Sequence, residues 1–178
     1  NGAYGMIGGW RFLGQFVAYA MLIVMPITAV AMRAESLSTV DIVTSQAALW
    51  NIAYQPLGFV LFVVAAMGLC WLPPLDLPTA EYTGVPLAVL RLARMVVILA
   101  LAGATVTFYL GGWLGPWLPA WAWSGIKILI VAGLMVSAGR LVPRVREARY
   151  LELSWKLGIP LALTNIFVVG VIALVVPV

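Results

Sequence analysis

Ile52-Ala53-Tyr54-Gln55-Pro56-Leu57-Gly58-Phe59-Val60-Leu61-Phe62-Val63-Val64-Ala65-Ala66-Met67-Gly68-Leu69-Cys70-Trp71-Leu72 carries no charged side chain, and neither does the wider stretch from Ile42 to Leu75. A bilayer's hydrocarbon core of ~30 Å takes ~20 apolar residues of helix to cross, and this run has that length. Backbone groups in lipid must be bonded within their own element, which leaves a helix or a closed barrel. The apolar residues are continuous rather than alternating, and that excludes the barrel. Similar runs cover about Trp10–Met32, Val85–Leu110, Trp121–Leu141 and Leu157–Val178. With 64% hydrophobic residues, 9% charged residues and a mean hydropathy of +1.09, an ordinary soluble domain is excluded. The sequence predicts an all-α polytopic membrane protein, one membrane domain over residues 1–178 with about five transmembrane helices.

Working outward, the connectors differ sharply in character. Glu35–Asn51 holds Ser38 and Asp41 in an N-terminal capping pattern and reads as a short amphipathic helix on the membrane surface. Pro73–Gly84 is a polar loop with prolines at 73, 74 and 78 and two of the six carboxylates, Asp76 and Glu81. Gly111–Trp123 packs four tryptophans and two prolines into a stretch that cannot be one regular helix, and tryptophans collect at membrane interfaces. Five of the ten basic residues (Arg140, Arg144, Arg146, Arg149, Lys156) fall in one short loop. That asymmetry marks a cytoplasmic loop, with membrane lipid and no nucleic acid as the chain's surroundings. It also places the proline loop inside and the tryptophan turn outside. The chain opens Asn1-Gly2-Ala3 without Met, as a processed product or a fragment would, and Trp10–Met32 is too long for a signal peptide.

Cys70 is the only cysteine and histidine is absent, so haem ligation by histidine, the usual zinc sites and an iron–sulfur thiolate set are excluded within this chain. No metal motif, phosphate loop or catalytic triad is present. Any redox cofactor must belong to a partner or be a diffusible, lipid-soluble molecule. What remains is a sparse set of charges in or near the membrane. Asp76 and Glu81 could exchange protons if buried, or be solvated loop residues. Arg91 and Arg94 share a face near that loop and either line protein or snorkel. Lys127 sits roughly 9 Å inside its span, as a proton-relay member or a snorkelling side chain. Gln15 and Tyr19, four apart, suggest a helix–helix or cavity face, or an interfacial tyrosine beside a packed glutamine.

Gln55-Pro56-Leu57-Gly58-Phe59 through Pro74-Leu75-Asp76-Leu77-Pro78 resembles the region of the complex I H-subunit family that ends in its Pro-Phe-Asp-Leu-Pro motif. Glu81-Tyr82-Thr83-Gly84 is similar to the family's Glu-Tyr-Ser-Gly. Gly111-Gly112-Trp113, Lys127, Pro143-Arg144-Val145-Arg146, Trp155-Lys156, Pro160-Leu161-Ala162-Leu163 and Asn165 follow in the family's order. Upstream, Arg11, Gln15, Tyr19, Ser36-Leu37 and Asp41-Ile42-Val43 also fit. The resemblance covers this whole chain and the C-terminal part of the family's length. It implies the membrane heel subunit of an NADH:quinone oxidoreductase, with a counterpart in membrane-bound hydrogenases, that couples redox chemistry in a peripheral arm to ion translocation. Such a subunit carries no redox centre, and quinone lies at its interface with a partner. The implied partners are peripheral iron–sulfur subunits and antiporter-like and small membrane subunits. Asp76, Glu81, Arg91, Arg94 and Lys127 would belong to the proton path. Arg11, Gln15, Tyr19, Arg140, Arg144 and Arg146 would lie on the quinone side or dock the arm. The chain departs from the family at Ala20, where a glutamate is usual, and around Leu69–Leu72, where a glutamate and an arginine are replaced. The acidic segment after Leu77-Pro78 is also shortened. These departures give the alternative, a scaffold subunit without proton function; an independent transporter would need internal repeats, which are not found.

Overall fold

The computed structural model of the chain describes residues 3–72, 83–141, 145 and 147–175. Among them all regular structure is helical: α1 (Ala3–Ala34), α2 (Thr39–Thr44), α3 (Asn51–Tyr54), α4 (Pro56–Leu69), α5 (Val85–Tyr109), α6 (Ala120–Leu141), α7 (Glu147–Leu153), a π-helical turn (Ser154–Gly158) and α8 (Ile159–Val175). Four helical stretches are long and apolar enough to cross a membrane: Gly5–Ala34, Val85–Tyr109, Ala120–Ala138 and Arg149–Val175. The protein is therefore an all-α, multi-pass membrane bundle. Many alanines turn inward and many large side chains outward. Ala18, Ala29, Ala65, Ala66, Ala102 and Ala162 are fully buried, while Leu92, Phe167 and Leu174 are exposed. Lipid is as apolar as leucine, so close backbone approach rather than expulsion of oily side chains holds such helices together. α1 lies against α4 and α8, and α5 lies against α6. The larger core side chains, Phe62, Val106, Tyr109 and Met135, fill the space between α4, α5 and α6.

The stretch expected to span at 52–72 is not one helix. It divides into α3 and α4 at Gln55, whose backbone (φ −139°, ψ 68°) leaves the helical region. The cause is local: a proline ring disfavours helical geometry in the residue before it, and Pro56 itself starts α4 comfortably. At 14 residues, α4 is about 21 Å long and shorter than a ~30 Å hydrocarbon core.

The other end of the chain shows the opposite device. Leu157–Val178 is expected to begin near Pro160, yet helix runs without interruption from Glu147 to Val175. Pro160 has no N–H and its ring crowds the carbonyl four residues earlier, so the preceding turn widens. Ile159 accordingly bonds five residues back, to the Ser154 carbonyl. The helix is re-registered rather than broken.

The surface helix expected over 35–51 is reduced to the six residues of α2. Its Ile42 and Val43 are buried in the bundle rather than laid on a surface. Ser38 does occupy the N-cap position but makes no side-chain cap bond. Instead Ser36 Oγ donates to Asp41 Oδ2 (2.7 Å) and accepts from the Ser38 N–H (3.0 Å).

Candidate functional site

The bundle has two ends, one holding the tryptophan turn and the other the proline loop. At the tryptophan end the controlling problem is the C-terminus of α5, whose last carbonyls have no partners within the helix. Side chains from elsewhere in the chain supply them. Gln46 Nε2 donates to the Thr107 carbonyl (2.9 Å), and its Oε1 accepts from the Gly111 N–H (3.0 Å). Asn51 Nδ2 donates to the Phe108 carbonyl (2.8 Å). Lys127 Nζ donates to the carbonyls of Leu110 (2.6 Å), Gly112 (3.2 Å) and Leu114 (2.9 Å). An ammonium has three N–H donors, and all three are used. The same nitrogen lies 4.5 Å from the Trp50 ring centroid and 5.5 Å from that of Trp123, within cation–π range. Gly112 makes the turn feasible: its φ is +47°, and a Cβ there would stand 2.8 Å from Val43 Cγ2.

Beside this cap, Arg33 is buried at the end of α1. Its Nη1 donates to Asn51 Oδ1 and to the Leu49 carbonyl (3.2 Å), and its guanidinium lies 4.2 Å from the Tyr54 ring centroid. Further in, Asn165 Nδ2 of α8 donates to Gln55 Oε1 at the α3–α4 break (3.3 Å). Both residues are buried.

The proline-loop end is built differently. α4 closes with the Trp71 N–H bonded to the Gly68 carbonyl and the Leu72 N–H to the Met67 carbonyl, a Schellman pattern that puts Trp71 at φ +51°. A non-glycine residue in that region costs roughly 1–2 kcal/mol. Two contacts hold it: Arg94 Nη2 donates to the Trp71 carbonyl, and Phe12 meets the Trp71 ring edge-on at 6.2 Å. Arg94 thus reaches the exit of α4, while Arg91 is exposed. Asp76 and Glu81, on the loop between them, lie outside the described residues, as do Arg144 and Arg146. Arg11 and Arg140 are carried on α1 and α6. Gln15 and Tyr19 are both buried, so they form a helix–helix face. Tyr19 packs on Tyr150 at 5.0 Å between ring centroids.

The candidate residues whose side chains are described do not converge on one centre. Lys127 is at the tryptophan end, while Arg94, Gln15 and Tyr19 are at the proline-loop end. Arg33, Gln46 and Asn51, the residues that complete the cap, were not singled out by sequence reasoning. Among the described residues the buried polar set is Gln15, Arg33, Gln46, Asn51, Gln55, Thr105, Lys127, Ser154 and Asn165, with no carboxylate among them. No cluster of three or more metal-ligating side chains occurs among the described residues either. This is a multi-pass helical membrane protein with one polar, capped end and, opposite it, an exit of α4 held by Arg94.

The chain belongs to the NADH dehydrogenase family, whose sequence pattern matches residues 1–170. It is 36% identical over 180 residues to the H 1 subunit of NADH-quinone oxidoreductase from Geobacter metallireducens, covering 96% of this chain and 55% of that protein. Against the H 2 subunit from Syntrophobacter fumaroxidans the identity is 38%, covering 96% of this chain and 54% of the relative. Against the H subunit from Anoxybacillus flavithermus it is 35%, covering 97% and 56%. The chain spans about half the length of the curated relatives it matches. The resemblance to the complex I H-subunit family holds across nearly all of it.

Proposed function

We propose that this chain is the membrane heel subunit of a complex I-like oxidoreductase in a bacterial inner membrane, coupling quinone-level redox chemistry in a peripheral arm to ion movement. The observation that carries this reading is the family match over residues 1–170. In this reading the chain holds no redox centre. Quinone meets it at the interface with a peripheral iron–sulfur subunit, and antiporter-like and small membrane subunits continue the ion path. A hydrogenase-like complex is a variant of the same assembly. Asp76 and Glu81 exchange protons at the loop, and Arg94 fixes where that loop leaves α4. Neutralising Asp76 to Asn or Glu81 to Gln is expected to lower coupled turnover while assembly survives. Normal turnover in both variants removes them from the mechanism. Arg144 and Arg146 dock the arm, so reversing both charges should release it from sedimented membranes.

One observation favours a second reading, a scaffold subunit without proton function. Among the described residues no buried polar side chain is a carboxylate, and a proton path in a membrane ordinarily needs ionisable side chains along it. On that reading turnover is insensitive to Asp76→Asn and Glu81→Gln, yet reversing Arg144 and Arg146 still detaches the arm.

A further inference from the structure

At the proline-loop end a cavity of about 450 Å³ lies between α1, α4, α6 and the segment running from α7 into the π-helical turn. Leu22, Leu61, Met67, Ala138, Tyr150 and Leu153 contribute to a wall that is almost wholly apolar. Its volume falls in the range of about 300–1,000 Å³ that holds small molecules. Leu153 also borders an adjoining cavity lined by Arg149, Glu152, Lys156 and Leu157. There Lys156 Nζ lies 2.6 Å from Glu152 Oε1, so those two charges offset each other. Arg149 has no carboxylate partner among the described residues and is exposed. It stands where the apolar stretch Arg149–Val175 begins, the level of a lipid headgroup.

We propose that these adjoining cavities together bind one anionic phospholipid, its phosphate at Arg149 and one acyl chain passing Leu153 into the apolar cavity. Charge and position favour that occupant over a neutral one. Half of the basic residues lie between Arg140 and Lys156, and basic segments at this side of a membrane recruit anionic lipid. Tyr150 and Ser154 border the cavity with their hydroxyls buried, so the surface it presents is almost wholly hydrocarbon and suits an acyl chain.

The test is native mass spectrometry of the chain in its own assembly, extracted in mild detergent and supplied with phosphatidylglycerol or phosphatidylcholine. Phosphatidylglycerol is expected to stay bound and phosphatidylcholine to be lost. Arg149→Gln should lower phosphatidylglycerol occupancy roughly five-fold, the effect of one basic residue near a membrane surface. Ala138→Phe, which fills the cavity, should abolish retention, and soluble glycerol phosphate should not compete. Equal retention of both lipids, or retention unaffected by Arg149→Gln, overturns the proposal. Retention that survives Ala138→Phe also overturns it, because the headgroup alone then binds. Displacement by excess ubiquinone would assign the cavity to quinone and overturn it as well. Should Ala138→Phe fail to assemble, the lipid comparison and Arg149→Gln still decide.

Discussion

The two ends of this bundle solve the same problem in opposite ways. At the tryptophan end, the carbonyls of Thr107, Phe108, Leu110, Gly112 and Leu114 each receive a side-chain donor from another part of the chain. At the proline-loop end, the exit of α4 rests on a left-handed Trp71 held by Arg94, beside an apolar cavity. The first arrangement engages all three Lys127 N–H groups with backbone carbonyls. The second rests on the left-handed Trp71 and leaves space, although at the tryptophan end Glu35 is left-handed too (φ +51°) and cavities lined by Met32 and Glu35 flank the end of α1. Strain of that kind persists only where the surroundings over-determine it, and it concentrates at working parts of proteins. The contrast lies in how each end satisfies its backbone: one by donors from distant segments, the other by a Schellman turn and one arginine.

Three substitutions would break or sharpen this contrast. The largest effect is expected from Lys127→Met, which strands three carbonyls at a buried helix end. With about 1–3 kcal/mol for each unsatisfied group, the loss should exceed ~3 kcal/mol and show as a large drop in thermal midpoint in detergent. Unchanged stability with lost turnover would instead place Lys127 on the ion path. Gly68→Ala comes next. A Cβ there would stand 2.3 Å from Tyr19 Cε1, and overpacking costs roughly 1–3 kcal/mol. Shortening Tyr19 to Leu in the same chain should recover most of that loss, and a double-mutant cycle measures the coupling. No coupling would mean the α1–α4 contact is looser than described. The smallest effect is expected from Asn165→Leu, which leaves Gln55 Oε1 without its donor. Side-chain hydrogen bonds between membrane helices average about 0.6 kcal/mol, so the midpoint should fall only slightly. A loss as large as that of Lys127→Met would show that the capped region extends into the middle of the bundle.

The spans were legible because lipid imposes a length and a composition on any helix that crosses it. The ends of α5 and α6 fall within a residue of the apolar runs. Pro56 announced a boundary, although the run around it still read as a single helix. The cap was not legible. Gln46 and Asn51 look like surface polar residues in sequence, and their partners, Thr107 and Phe108, lie 61 and 57 residues away. Arg33 resembles any basic residue flanking a span. Lys127 was visible from its depth, but its three acceptors are backbone atoms, which carry no side-chain signature. The helix from Glu147 was hidden because Arg149, Glu152 and Lys156 made its first turns look like loop.

The π-helical turn has a consequence for how this chain tolerates insertions and deletions. One extra residue in a turn rotates everything beyond it by about 100° relative to an unbroken α-helix. Tyr150 and Asn165, on either side of the turn, therefore owe their separate facings, toward Tyr19 and toward Gln55, to a single surplus residue within Ser154–Gly158. Deleting one residue there would restore a regular helix and leave composition and hydropathy almost untouched. It would also swing α7 off its neighbours as a unit, so a shorter sequence that aligns well on both sides would still encode a differently faced helix.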